Sequence, residues 1–203
     1  MGKPLNVAEI EAVCFDCFGT LLSISEGPYA YRRLVATAQD RAQMRHQVLT
    51  ALRPFATQAE NAGWNNREIA GASVALAEEL ASIAILDDAV FVLEALRRKG
   101  LKIALCSNLA YEFGPAAAKT LRFLFDTRVF SYEVGLVKPD PAIFKVVAKG
   151  LATPLSKILM VGDSFKADVS GAREAGMSAI RINRANPTAE EISHLSDLLK
   201  LFN

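Results

Sequence analysis

The sequence predicts an α/β protein: a doubly wound parallel sheet, with an all-helical segment inserted after its first strand. Three observations carry this. Short apolar runs recur at residues 12–16, 102–106, 158–161 and 179–182, with a shorter one at 128–131. They are near-continuously apolar rather than alternating, as strands buried on both faces of a parallel sheet require. Helical patterns separate them, and alternation of this kind favours right-handed crossovers. Finally, residues 23–83 hold no strand candidate and are rich in Ala, Leu, Gln, Glu and Arg, all good helix formers.

The elements follow in order. The first strand ends at Asp16 and turns at Gly19. Helices are expected over about 28–39, 41–53, 54–62 and 66–83, with hinges near 23–27 and 83–86. Asp87 or Asp88 can cap the next helix, which carries Val90, Leu93 and Leu96 and stops at Gly100. Arg97, Arg98 and Lys99 close it, where cations suit the macrodipole. Pro141 starts a helix with Phe144 and Val147 on one face and Gly150 at its end. A further helix is expected over 168–175, stopped by Gly176, and a last one over 189–201. The expected domains are a Rossmann-like core of residues 1–22 and 84–203 and a helical insertion of residues 23–83.

Composition narrows the function. With 203 residues, 51% of them hydrophobic, the chain can build one full core and a modest insertion. Lys and Arg number 23 against 22 Asp and Glu, so net charge gives no footprint for nucleic acid. No run is long and apolar enough to span a bilayer, and the N-terminus lacks a signal-peptide layout. Three cysteines, an odd count, fit a reducing compartment, so the expected location is cytoplasmic. Cys14 and Cys17 form a C-x-x-C spacing, but along a strand, where positions three apart point to opposite faces. They read as small core residues. His46 and His194 sit in helical surroundings and receive no role.

The chemistry-bearing residues lie where strands end. Asp16 closes one buried apolar strand, and Asp163 follows another, with Ser164 and Asp168 close behind. Acids in such places are costly unless they meet one site. Gathered carboxylates suit Mg²⁺, a hard cation that takes oxygen ligands. Thr20 follows Asp16, and Ser107 and Asn108 end another strand. Lys138 stands in a Pro-rich turn before a helix. In doubly wound sheets ligands bind beyond the carboxyl ends of the strands. A nucleophile, a hydroxyl, a cation and a metal site together suit phosphoryl transfer. Taken singly, each has a plainer reading: Ser107 and Asn108 as a helix cap, Lys138 as a loop lysine, Asp168 as an N-cap.

The ordered set resembles the haloacid dehalogenase-like (HAD) hydrolase superfamily over essentially the whole chain. Asp16-Cys17-Phe18-Gly19-Thr20 resembles its first motif, Ser107 its second, Lys138 its third, and Gly162-Asp163-Ser164 with Asp168 its fourth. The helical insertion resembles the superfamily's small type-one cap. The resemblance implies that Asp16 attacks the electrophile and forms a covalent intermediate. It implies a Mg²⁺ ion held by Asp16, Asp163 and the backbone carbonyl of Phe18. Asp168 would support the metal shell or orient Lys138. Ser107 and Lys138 would neutralise the transferring phosphoryl group, and Thr20 and Asn108 would shape the site. The expected partner is a small-molecule substrate; oligomeric state is left open.

One position departs. Superfamily phosphatases usually carry a general acid two residues after the nucleophile, and here Phe18 stands there. Losing a positioned acid typically costs about 10²–10⁴-fold in rate. A 2-haloacid dehalogenase needs no such acid, because halide leaves without a proton, and no metal. Such enzymes typically lack the acidic pair formed by Asp163 and Asp168. They also hold the substrate carboxylate with an early cap arginine, a role open to Arg32, Arg33, Arg41 or Arg45. A third reading is a binding or regulatory module on the same fold with little turnover. Tyr29, Tyr31, Arg32 and Trp64 are the cap residues expected to face substrate, or else to pack within the insertion.

Overall fold

The computed structural model describes residues 6–202 except Glu26 and Pro28. One residue of the expected hinge at 23–27, and the expected start of the helix at 28–39, therefore lie outside the described residues.

A five-stranded parallel sheet forms the centre. Its first strand, β1 (Ala12–Phe15), leads through a turn to the two-residue β2 (Leu22–Ser23). Four helices follow: α1 (Ala30–Thr37), α2 (Arg41–Thr50), α3 (Phe55–Asn61) and α4 (Asn66–Ala81). The chain returns through β3 (Ala84–Ile85), which pairs antiparallel with β2. The sequence shows no strand here, because two residues are too few for a period-2 pattern. This small ribbon joins the two ends of the helical segment.

The remaining elements alternate. They are α5 (Ala89–Arg98), β4 (Lys102–Ser107), α6 (Phe113–Leu121), β5 (Thr127–Phe130), α7 (Ser131–Val134), α8 (Pro141–Leu151) and β6 (Ile158–Gly162). After them come α9 (Gly171–Ala175), β7 (Ser178–Arg181) and α10 (Leu198–Leu201). Strand order is β5-β4-β1-β6-β7, with every pairing parallel. The chain leaves β1 toward β4 and β5, then crosses to β6 and β7, so the order reverses at β1. That is the switch point where such sheets open a crevice.

β1 is buried on both faces, which explains its unbroken apolar run. Val13 and Phe15 pack with Leu93 and Leu96 of α5 on one side. Ala12 and Cys14 pack with Ile143, Phe144 and Val147 of α8 on the other. Period-2 alternation thus divides one strand between two layers of core. Cys14 and Cys17 fall in different layers, and burial pushes both thiols above the ordinary range. A third cluster, built on Leu34, Phe55, Ala72 and Leu76, fills the helical segment and takes in Ala110 from beyond β4.

Four expectations change. Gly150, expected to end its helix, lies inside α8 against Thr127, and the left-handed residue that ends the helix is Ala152. The helix expected over 168–175 instead begins as a π-helix, Phe165–Ser170, capped by Ser164, before α9. π-turns favour functional positions, and this one lets Asp168 point inward. Residues 189–194 are not helical: Ile192 bridges to Ile182, and Glu191 ties to Arg181 and Asn183. The helical turn comes only with Leu195–Asp197 and α10. Asp88 precedes α5 but does not cap it with its side chain. Its carboxylate takes Arg184 and the Leu195 amide instead, tying the C-terminal segment to α5.

Phe144 is fully buried between α8 and the sheet. Phe144→Ala is expected to lower the unfolding free energy by about 3–5 kcal/mol, read from the urea midpoint. Val74→Ala, at an exposed position of α4, should change it by no more than about 0.5 kcal/mol.

Candidate active site

The parallel register brings distant residues together. Phe15 lies beside Leu105 and Val161, so Asp16 emerges between the ends of β4 and β6, its amide donating to Val161. Ser107 ends β4, and Asp163 directly follows β6. Lys138 reaches this point from the turn before α8, where its bond to Pro139 is cis. Its Nζ donates to Asp16 Oδ1 at 2.6 Å, Asp168 Oδ1 at 2.6 Å and the Cys106 carbonyl at 2.8 Å. Oxygens of Asp16, Asp163 and Asp168 lie within 4.8 Å of one another. Asp163 is the most exposed of the three.

Lys138 is 4% exposed and Asp168 1%. Burial opposes the lysine's charge, yet the two carboxylates hold its pKa well above the ordinary range. Asp168 moves the other way from a free carboxylate: burial, with Asp16 adding to it, pushes it up to about 6 against the pull of Lys138. Burial and then Asp16 raise Asp163. Two buried carboxylates therefore bind one ammonium, with the more exposed Asp163 beside them.

The neighbouring residues hold this set in place. Asn108 clamps the Lys138 backbone with both ends of its amide, each at 2.8 Å, which fixes the height of the lysine. Ser164 caps the π-helix through Ala167 and gives its own amide to Asp168 Oδ2 at 2.9 Å. Gly19 has φ +78°, and a Cβ there would collide with the Asp163 carboxylate. Gly162 is equally constrained, since its Cβ would strike Asp168. Thr20 Oγ1 is buried and pairs with no protein group among the described residues. Ser107 is 3% exposed at its strand end.

Side chains of the helical segment line cavities that reach this ground. Arg32, Arg41 and Arg45 border a cavity of about 610 Å³ that reaches Asn108. His46, which the sequence leaves without a role, borders an adjoining one of about 390 Å³ with Lys138 and Ser164. A third, of about 230 Å³, lies between Phe18 and Asn108 below and Tyr31, Arg32 and Glu79 above. Trp64 instead meets Phe55 at 6.0 Å and Arg33 at 5.1 Å inside the insertion. Two residues escape the sequence reading. Glu112 accepts from Tyr31 Oη at 2.5 Å and the Phe55 amide at 2.7 Å, joining insertion to core. Glu79 carries a sequence signal, because it follows Ala72 and Leu76 on the buried stripe of α4.

A family model described as haloacid dehalogenase-like hydrolase matches residues 10–176. The chain belongs to this family. A phosphoserine phosphatase of Thermus thermophilus is 33% identical over 118 residues, covering 55% of this chain and 47% of that protein. The (S)-2-haloacid dehalogenase 2 of a Pseudomonas species is 26% identical over 208 residues, covering 93% and 90%. The chain spans less than half the length of the curated phosphatases it matches first. A HAD phosphatase structure from Thermococcus onnurineus superposes with a TM-score of 0.65 at 23% identity, covering 96% of this chain and 98% of that one. That likeness speaks for the fold. Among haloacid dehalogenase-like hydrolases, then, both phosphate and carbon–halogen chemistry have relatives of this chain.

Removing the ammonium while leaving its carboxylates exposes their repulsion. Lys138→Met is expected to destabilise the metal-free protein by about 3–5 kcal/mol at neutral pH in urea titrations. A loss under about 1 kcal/mol would mean the lysine does not hold the cluster together.

Proposed function

We propose that this hydrolase is a Mg²⁺-dependent phosphohydrolase that works through an aspartyl-phosphate on Asp16. The observation that carries the reading is the excess of carboxylate: among the described residues, Asp16, Asp163 and Asp168 gather about one buried cation, Lys138. A set of that charge, two of its carboxylates buried and Asp163 open to solvent, suits a divalent cation with oxygen ligands. The donor set fits: the carboxylates are close enough to share an ion, and Gly19 leaves room for Asp163 to reach it. Asp16, Asp163 and the Phe18 carbonyl would hold Mg²⁺, with Asp168 behind them. Bound there, the ion supplies positive charge that neutralises phosphoryl oxygens.

The chain's own residues do the rest. An Asp16 carboxylate oxygen attacks phosphorus, and the bond to the leaving oxygen breaks with its electron pair. Lys138 holds Asp16 in orientation through its 2.6 Å contact, and Ser107 and Lys138 meet the phosphoryl oxygens. Water then attacks phosphorus and frees Asp16. The insertion excludes bulk water, and its cavities of a few hundred Å³ suit a small phosphorylated metabolite. Arg32, Arg41 and Arg45 favour an anionic one. A reducing, cytoplasmic setting accords with three free cysteines. Among the described residues no helix is long and apolar enough to cross a membrane.

Phe18 keeps a second reading alive. A 2-haloacid dehalogenase would use Asp16 on carbon, without metal, and the Pseudomonas relative matches along nearly the whole chain. The two readings part on metal. The phosphohydrolase should cleave an acyl or aryl phosphate, lose that activity in EDTA and regain it with Mg²⁺. Chloride release from 2-chloropropionate that survives EDTA would establish the dehalogenase instead. Asp16→Asn should reduce turnover by at least about 10³-fold in either case, and full turnover would remove the covalent step. Absence of turnover on both panels would favour the binding-module reading.

A further inference from the structure

A phenyl ring at position 18 gives the leaving oxygen no proton from the loop after β1. The cavity of about 230 Å³ beside that ring counts one acidic residue in its lining, Glu79. Glu79 is 3% exposed, which is unusual for a glutamate with no ion-pair partner among the described residues. It rides on α4 three residues after Leu76, at a stripe position that otherwise takes apolar side chains. Its Oε1 accepts from the Ala30 amide at 2.8 Å and so satisfies a free N–H at the start of α1. That contact engages one oxygen of the carboxyl group. Burial raises the group's affinity for a proton, with the Ala30 amide and Arg32 opposing.

The other polar groups of this cavity are worse donors. Tyr31 commits its hydroxyl proton to Glu112. Tyr29 lies under the Arg32 guanidinium, 4.1 Å from ring centroid to Cζ, and arginine does not give up its proton. Asn108 has both ends of its amide on the Lys138 backbone.

We propose that Glu79 is the general acid and base of this site, supplied by the insertion in place of the residue at position 18. The inference rests on the phosphohydrolase reading. As the Asp16–phosphorus bond forms, the bond to the leaving oxygen breaks and that oxygen takes the Glu79 proton. In the second step water attacks phosphorus, Glu79 takes back a proton from it, and the bond to Asp16 breaks. Asp16 and Glu79 return to their starting states. A donor carried on the insertion also makes proton transfer depend on closure over the core.

Glu79→Gln tests this, because glutamine keeps the length and the acceptor for Ala30 but has no acid proton. The readout is kcat/KM on a series of phosphate monoesters, from p-nitrophenyl phosphate to a simple alkyl phosphate, with Mg²⁺. The expected result is a loss of about 10²-fold or more on the alkyl ester and less than about 3-fold on the nitrophenyl ester, whose anion leaves unaided. Equal losses across the series would make Glu79 a structural cap alone and overturn the proposal, as would no loss on the alkyl ester. Nitrophenyl ester turnover reports that the variant is folded. If it is not, the wild-type series decides: a shallow dependence on leaving-group pKa supports an internal donor, and a steep one overturns it. A wild-type protein inactive on every ester sinks the phosphohydrolase reading itself, whereas an active one indifferent to Glu79→Gln sinks only this inference.

Discussion

The constraint on which the structure depends is the burial of one ammonium among carboxylates. Lys138 lies 122 residues from Asp16 and 30 from Asp168, and its Nζ bonds to both. Neither acid would tolerate its position alone, since an unpaired buried charge costs several kcal/mol. The lysine must therefore arrive, and the fold arranges its arrival. Asn108 grips its peptide, and Pro139 and Gly171 come too close for any side chain between them. The π-helix at Phe165–Ser170 turns Asp168 back toward it. Local irregularity is concentrated here, while the strands beneath remain regular.

Regularity beneath and irregularity above also explain what could be read from sequence. The apolar strands follow from hydrophobic pattern, α5 from its period and the stop at Gly100, and α8 from its period and its start at Pro141, so they were legible. The convergence of Asp16, Lys138, Asp163 and Asp168 was legible because each lies at the end of a buried strand or in a turn that the sheet order brings together. Helical pattern alone could not show that residues 189–194 would be held extended. There, Arg181 and Asn183 claim Glu191, and Ile182 claims Ile192, which are tertiary contacts that override propensity. Asp88 was misread for a similar reason, since Arg184 and the Leu195 amide compete for the oxygens a cap would need.

The helical insertion was legible as helix but not as surface. Its composition shows good helix formers, whereas which face meets the core depends on contacts such as Tyr31 and Phe55 with Glu112. Glu79 lies between these cases. A glutamate on the stripe of Ala72 and Leu76 breaks the apolar pattern, and such breaks mark positions where function overrides packing. Phe18 is the complementary break: an aromatic ring, edge-on to Phe113 at 5.9 Å, where relatives with phosphatase activity are expected to place an acid. The two exceptions border one cavity.

The account stands on a single locus where Asp16 meets both a cation and a phosphoryl group. A crystal structure of the protein grown with Mg²⁺ and trifluoroberyllate, a mimic of the phosphoryl group, examines that locus directly. The account predicts beryllium bonded to an Asp16 oxygen, contacted by Lys138, with Mg²⁺ between Asp16 and Asp163. Mg²⁺ bound elsewhere, or an Asp16 carboxylate that stays bare while the rest of the fold is intact, would contradict it.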